Sequence, residues 1–142
     1  MIPRNLKAAF ELKYKVPFGD VDMMGHVNNA RYLTYFETAR TEHMLKFFGR
    51  QDPKDLAVII ARSEVDYKSP ARWNDELIIK IRPSSVGTKS WTYEYEIINE
   101  KDSTLVAQGK SVQVAYDYKS GTTIVLPDNV KETLLKQIAE TA

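Results

Sequence analysis

Over residues 10–16 the apolar side chains Phe10, Leu12, Tyr14 and Val16 alternate with Glu11, Lys13 and Lys15. That period of two puts one face of a strand in a core and the other in water. Over 30–48 the spacing changes, with Leu33, Phe36, Ala39 or Arg40, His43 or Met44, and Phe47 falling on neighbouring faces of a helix. Gly49 supplies the left-handed residue that commonly closes such a helix. Tyr32, Tyr35 and Phe48 widen its apolar surface beyond a single stripe, so this helix is expected to be enclosed.

Residues 56–67, 76–83, 90–99 and 104–118 are rich in Val, Ile, Tyr, Trp and Thr and predict four more strands. Leu77, Ile79 and Ile81 alternate with Glu76, Lys80 and Arg82, and Trp91, Tyr93, Tyr95 and Ile97 alternate with Thr92, Glu94 and Glu96, so each strand should bury one face. The segments SPARWND, SSVGT, NEKDS and DYKSG hold turn residues, and links this short favour antiparallel pairing. Residues 122–126 are a further candidate strand. Val130, Leu134, Leu135 and Ile138 predict a short amphipathic helix at the end. The order is that of an α+β fold, a curled antiparallel sheet of five to six strands wrapped around one long central helix, with all 142 residues in one domain. A single sheet leaves edge strands, and pairing with a second copy is the expected remedy.

Composition narrows the chemistry. Twenty basic against nineteen acidic residues leave a formal charge of +1, without the basic field that nucleic acid or anionic membranes attract. The absence of cysteine removes disulfides, thiolate nucleophiles and cysteine zinc sites. His26 and His43 alone make a poor zinc set, so no metal and no cofactor are expected. No long apolar run marks the N-terminal stretch or a membrane span, which predicts a cytoplasmic protein. Gly109, Lys110 and Ser111 resemble the tail of a phosphate loop, but Thr104 stands where its first glycine belongs and the surrounding pattern is a strand.

The densest chemistry lies in residues 18–40. Asp20 and Asp22 close a strand-like run, Gly25 permits a turn, and Asn28 and Asn29 are good N-caps for the helix that follows. A carboxylate thus falls near unpaired helix-terminal amides, an arrangement suited to acid-base work on a carbonyl. An aspartate is ionised at neutral pH without help from a partner, and such amides can accept a growing oxyanion. The residues themselves equally fit turn acids bonded to local backbone and simple caps. His26 fits a substrate-positioning group or a hydrogen-bonded loop histidine. Glu37 fits a surface partner for Arg40 or a buried bond to a neighbouring strand. Met23, Met24, Trp73 and the aromatic helix face fit an apolar ligand pocket or plain core or dimer packing. Arg31, Arg62 and Lys89 are candidate phosphate contacts or solvated surface bases.

The run D-x-D-x-x-G-H-V-N-N-x-x-Y-x-x-Y-F-E-x-A-R, from Asp20 through Arg40, resembles the hotdog-fold thioesterases of the 4-hydroxybenzoyl-CoA thioesterase family. VDYKSPARWND (65–75), VGTKSW (86–91) and AQGKSVQVAYD (107–117) support it, and HVNNARYL is most similar to the long-chain acyl-CoA thioesterases of that family. The resemblance implies the hotdog fold and a catalytic aspartate at Asp22 that attacks the thioester or activates a water. It implies a carbonyl-polarising amide at Asn29, with Lys89 and Ser90 as candidate ligands near the nucleotide end of CoA; His26 remains the candidate that positions substrate or tunes Asp22. The exposed sheet edges give the expected homodimer, with a dimer of dimers as the larger assembly. Gly87 and Thr88 stand where relatives can carry basic residues. A distinct hotdog subgroup places its carboxylate on the helix, where Glu37 lies. The expected activity is acyl-CoA hydrolysis to free acid and CoA. Hydrolysis of an acyl-carrier-protein thioester and noncatalytic acyl-CoA binding are the alternatives.

Overall fold

In the computed structural model, which describes residues 5–49 and 56–142, the alternating run over 10–16 becomes strand β1 (Phe10–Lys15). A 3-10 turn at Phe18–Asp20 leads to helix α1 (Arg31–Phe47). Strands β2 (Val58–Tyr67), β3 (Glu76–Val86), β4 (Ser90–Asn99) and β5 (Leu105–Asp117) follow, then the two-residue β6 (Thr122–Thr123) and helix α2 (Asp128–Glu140). The first four residues of the stretch read for a leader lie outside the described residues.

All strand pairs are antiparallel, in the order β1-β3-β4-β5-β2 with β6 on β5. The six strands match the expected sheet. Pro83 lies beyond Ile81, which pairs with the first residue of β1, and where the β3–β4 register shifts, an edge position that tolerates the missing N–H. On the α1 side, Leu77, Ile79, Ile81, Trp91, Tyr93, Tyr95 and Ile97 are buried against Tyr32, Tyr35, Phe36 and Ala39. Phe36 stacks on Tyr95 at 4.3 Å. An ideal Cβ on Gly109 would lie 2.7 Å from Phe36 Cε2 and nearer still to the Glu64 carbonyl, so only glycine lets the helix seat this closely.

Four expectations need correction. The cap of α1 is Ala30, with no side-chain cap bond; Asn28 spends its carboxamide on the Ala30 N–H instead. In one copy α1 is not enclosed, since the sheet curls over one flank only and Leu33 is 40% exposed. Leu135 is half exposed while Gln137 is buried, because positions 130, 134 and 137 form the inner stripe and the Gln137 Oε1 lies 2.6 Å from His43 Nε2. Glu94 and Glu96 alternate as expected but are not solvated. Glu94 is held by Arg82 at 2.6 Å and Lys110 at 3.7 Å, and Glu96 Oε1 accepts the Leu6 N–H at 3.2 Å. The segment before β1 shields a face that the strand pattern assigns to water.

Candidate active site

Two distant parts of the sequence, 16–32 and 67–75, are laced together at the β1 and β3 ends of the sheet. The Val16 N–H donates to Asp75 O and the Asn74 N–H to Val16 O, while Asn74 takes a left-handed φ of 68°. The Val27 N–H donates to Ala71 O at 2.8 Å, and His26 bridges Arg72. Between them the chain doubles back, with Val21 bridging Val27. The reversal runs from Asp22 to Gly25, whose N–H donates to Asp22 O at 3.0 Å and whose φ of 77° suits glycine best.

This turn presents Asp22 to solvent. Its Oδ1 accepts the N–H of Met24 at 2.9 Å and of His26 at 3.3 Å. Its Oδ2 has no hydrogen-bond partner among the described residues. One oxygen is therefore anchored and the other is open. Asp20 is in the opposite situation: it is buried, accepts from the Tyr35 hydroxyl at 2.8 Å and lies 3.6 Å from Arg31 Nε. Burial and the adjacent Asp20 carboxylate raise the Tyr35 phenol well above its ordinary range, so the bond persists as a neutral donor to a charged acceptor.

Beyond the turn, nearly every amide is engaged. The Asn28 N–H donates to Asp20 O at 2.9 Å, the Ala30 N–H to Asn28 Oδ1 at 3.0 Å and the Arg31 N–H to Asn28 O at 2.9 Å. The Tyr67 hydroxyl donates to Asn29 O at 3.1 Å. The Asn29 N–H meets no acceptor among the described residues. An exposed amide at the mouth of α1 and an open carboxylate oxygen thus share one loop, the combination that acyl transfer from a thioester requires.

The remaining candidates are scattered. His26 lies within the turn and is partly buried. Met23, Met24, Phe18 and Trp73 form an exposed apolar rim beside it, with the Phe18 and Trp73 rings 5.7 Å apart. Glu37 is exposed and 3.5 Å from Arg40. Arg62 pairs with Glu64 on β2 at 3.6 Å. Lys89 and Ser90 follow the far end of β3, whose eleven residues span roughly 35 Å at the usual rise. Lys89 Nζ there donates to Thr123 Oγ1 at 3.2 Å. One copy of the chain does not bring Lys89 and Ser90 to Asp22.

Sequence reasoning missed Tyr67 and Tyr32. The Tyr32 hydroxyl accepts the Ala71 N–H at 3.4 Å, and its ring meets Tyr67 at 5.5 Å. The signal was present in VDYKSPARWND, a strand end carrying an exposed tyrosine, but nothing in one sequence says that this end faces residue 29. A cavity of about 250 Å³ lies over Glu64, Asp66, Gln108 and Lys110 and contains none of the candidate site residues. No cluster fit to hold a metal ion occurs among the described residues, and no helix there is long and apolar enough to cross a membrane.

Residues 16–134 match the thioesterase-like superfamily. The long-chain acyl-CoA thioesterase FadM of Escherichia coli K12 is 26% identical over 130 residues, covering 90% of this chain and 98% of that protein. A 1,4-dihydroxy-2-naphthoyl-CoA hydrolase of Synechococcus is 28% identical, covering 87% and 88%. A Thermus thermophilus thioesterase solved with coenzyme A and Zn superposes with a TM-score of 0.79 at 28% identity, covering 91% of this chain and 93% of that one. The six-stranded antiparallel sheet packed on α1 is therefore that of a hotdog-fold thioester hydrolase, and the chain belongs to the thioesterase-like superfamily.

Proposed function

We propose that this protein hydrolyses an acyl-CoA thioester to the free carboxylic acid and CoA. The observation that carries the reading is the pair of unengaged groups on one loop, Asp22 Oδ2 and the Asn29 N–H, amid neighbours whose polar groups are bonded. Asp22 acts on the carbonyl carbon. It either attacks directly, expelling the CoA thiolate and leaving an anhydride that water opens, or takes a proton from the water that attacks. In both routes negative charge grows on the thioester oxygen, where the Asn29 amide and the positive end of α1 stabilise it. His26 borders the reacting end. Lys89 and Ser90 are assigned to the nucleotide end as residues of a second copy, since their own copy holds them far from Asp22.

That second copy has a ready place. β2 is a ten-residue edge strand, largely exposed, with Ile60 39% exposed, the kind of edge that self-pairing covers. The test is a free-thiol release assay over acyl-CoAs of increasing length, an aromatic acyl-CoA and an acyl-carrier protein, with Asp22→Asn in parallel. Turnover should fall about 10²- to 10⁴-fold in the variant. Full turnover by Asp22→Asn overturns the mechanism, tight acyl-CoA binding without thiol release makes the protein a binding module, and preference for the carrier protein changes the substrate.

A further inference from the structure

The exposed Asn29 amide is held by groups on either side of it. A trans peptide points its N–H opposite its carbonyl, so the Arg31 N–H bonded to Asn28 O at 2.9 Å aims the Asn29 N–H the other way. The next peptide is clamped at both ends: its N–H, on Ala30, is taken by Asn28 Oδ1 at 3.0 Å, and its carbonyl, on Asn29, accepts from the Tyr67 hydroxyl at 3.1 Å. Tyr67 comes from the end of β2, thirty-eight residues away, and its ring is steadied edge-on against Tyr32. No side-chain cap from Ala30 competes for these donors.

We infer that Asn28 and Tyr67 are positioning residues that clamp the 29–30 peptide and so keep the Asn29 amide aimed at the thioester oxygen. The inference rests on the proposed hydrolase mechanism. A donor fixed in advance stabilises charge without reorganising during reaction, and small misplacements are costly. Ala30 would compete as a second donor if Asn28 released it, and the Asn29 peptide would pivot if Tyr67 let go of its carbonyl. The clamp leaves one aimed hydrogen.

The experiment compares Tyr67→Phe, Asn28→Ala and Asn28→Ser in thiol release and in backbone ¹⁵N relaxation of residues 28–31. Tyr67→Phe keeps the ring contact with Tyr32 and removes only the hydroxyl. Serine retains a short oxygen able to bond the amide two residues on, whereas alanine does not. In Tyr67→Phe and Asn28→Ala, kcat should fall roughly three- to thirtyfold with KM changed less than about twofold, a fraction of the 10²- to 10³-fold loss of a whole donor. Asn28→Ser should recover part of that loss. Order parameters at 29 and 30 should drop from the rigid value of about 0.85. Unchanged kcat and unchanged order in Tyr67→Phe and Asn28→Ala overturn the clamp, and increased mobility with full kcat overturns its catalytic role; in both cases the hydrolase reading stands. An inactive wild type overturns the hydrolase reading and the catalytic role together.

Discussion

Tyr35 donates its hydroxyl to Asp20 Oδ2 across 2.8 Å, tying the buried carboxylate of the Asp20–Asp22 pair to the second turn of α1. Through its main chain Asp20 also accepts the Asn28 N–H. The two aspartates thus divide the labour: one fixes the loop to the helix and the other faces solvent. A hydrogen bond to a charged group contributes about 1.5–3 kcal/mol. Tyr35→Phe should lower unfolding free energy by roughly that amount in urea denaturation. An unchanged midpoint would show that Arg31 and Tyr14 hold Asp20 without it.

A buried histidine sets the acid limit of stability. His43 Nδ1 lies 2.7 Å from the Tyr93 hydroxyl and Nε2 lies 2.6 Å from Gln137 Oε1, joining α1, β4 and α2. Burial lowers its pKa to about 4 despite the opposing bond from Gln137, against about 6.5 in an unfolded chain. Between those values the unfolded state binds more protons, so stability falls as pH drops from about 6.5 to about 4, by a contribution on the order of 3 kcal/mol. Denaturation curves of the wild type and His43→Leu across this window should differ in slope, the variant being flatter. Parallel slopes would remove His43 from the effect.

Gly109→Ala tests the seating of α1. The added methyl would meet Phe36 and the Glu64 backbone, and overpacking of this kind costs about 1–3 kcal/mol. Thermal unfolding should show the loss, and Phe36→Leu in the same chain should recover part of it. Additive losses in the double variant would count against the steric explanation.

The exposed β2 edge calls for a test of self-association. Ile60→Lys places a charge on the strand expected to pair with a second copy, a substitution that blunts edge pairing. Sedimentation should show a shift toward monomer, and thiol release should fall with it. A dimer that survives unchanged would locate the contact elsewhere.

Much of this fold was legible because periodicity and burial agree. The period-two runs at 76–82 and 91–97 emerge as β3 and β4 with the expected faces inward, and Gly49, with a φ of 67°, ends α1 as read. The failures share one cause, a neighbour remote in sequence. Glu96 alternates like a surface residue until Leu6 arrives to cover it. Gln137 looks like the outside of a helix until His43 gives its amide a partner. At the site, the motif around Asp22 was readable as chemistry, whereas Tyr67 was not. Its meaning depends on β2 ending opposite residue 29, a fact of topology that local pattern does not encode.

Phe36 rests on bare backbone at Gly109 and lies flat on Tyr95, which leaves no corridor beneath α1 at that point among the described residues. On the proposed mechanism, a substrate tail reaching from Asp22 would run along the outer flank of the helix, past Leu33 and Thr34, which a lone protomer leaves wet. If a second copy roofs that flank, as proposed, the length of tail accepted would be metered there. Chain-length selectivity would then be a trait of that assembly, tunable at its seam without touching the chemistry.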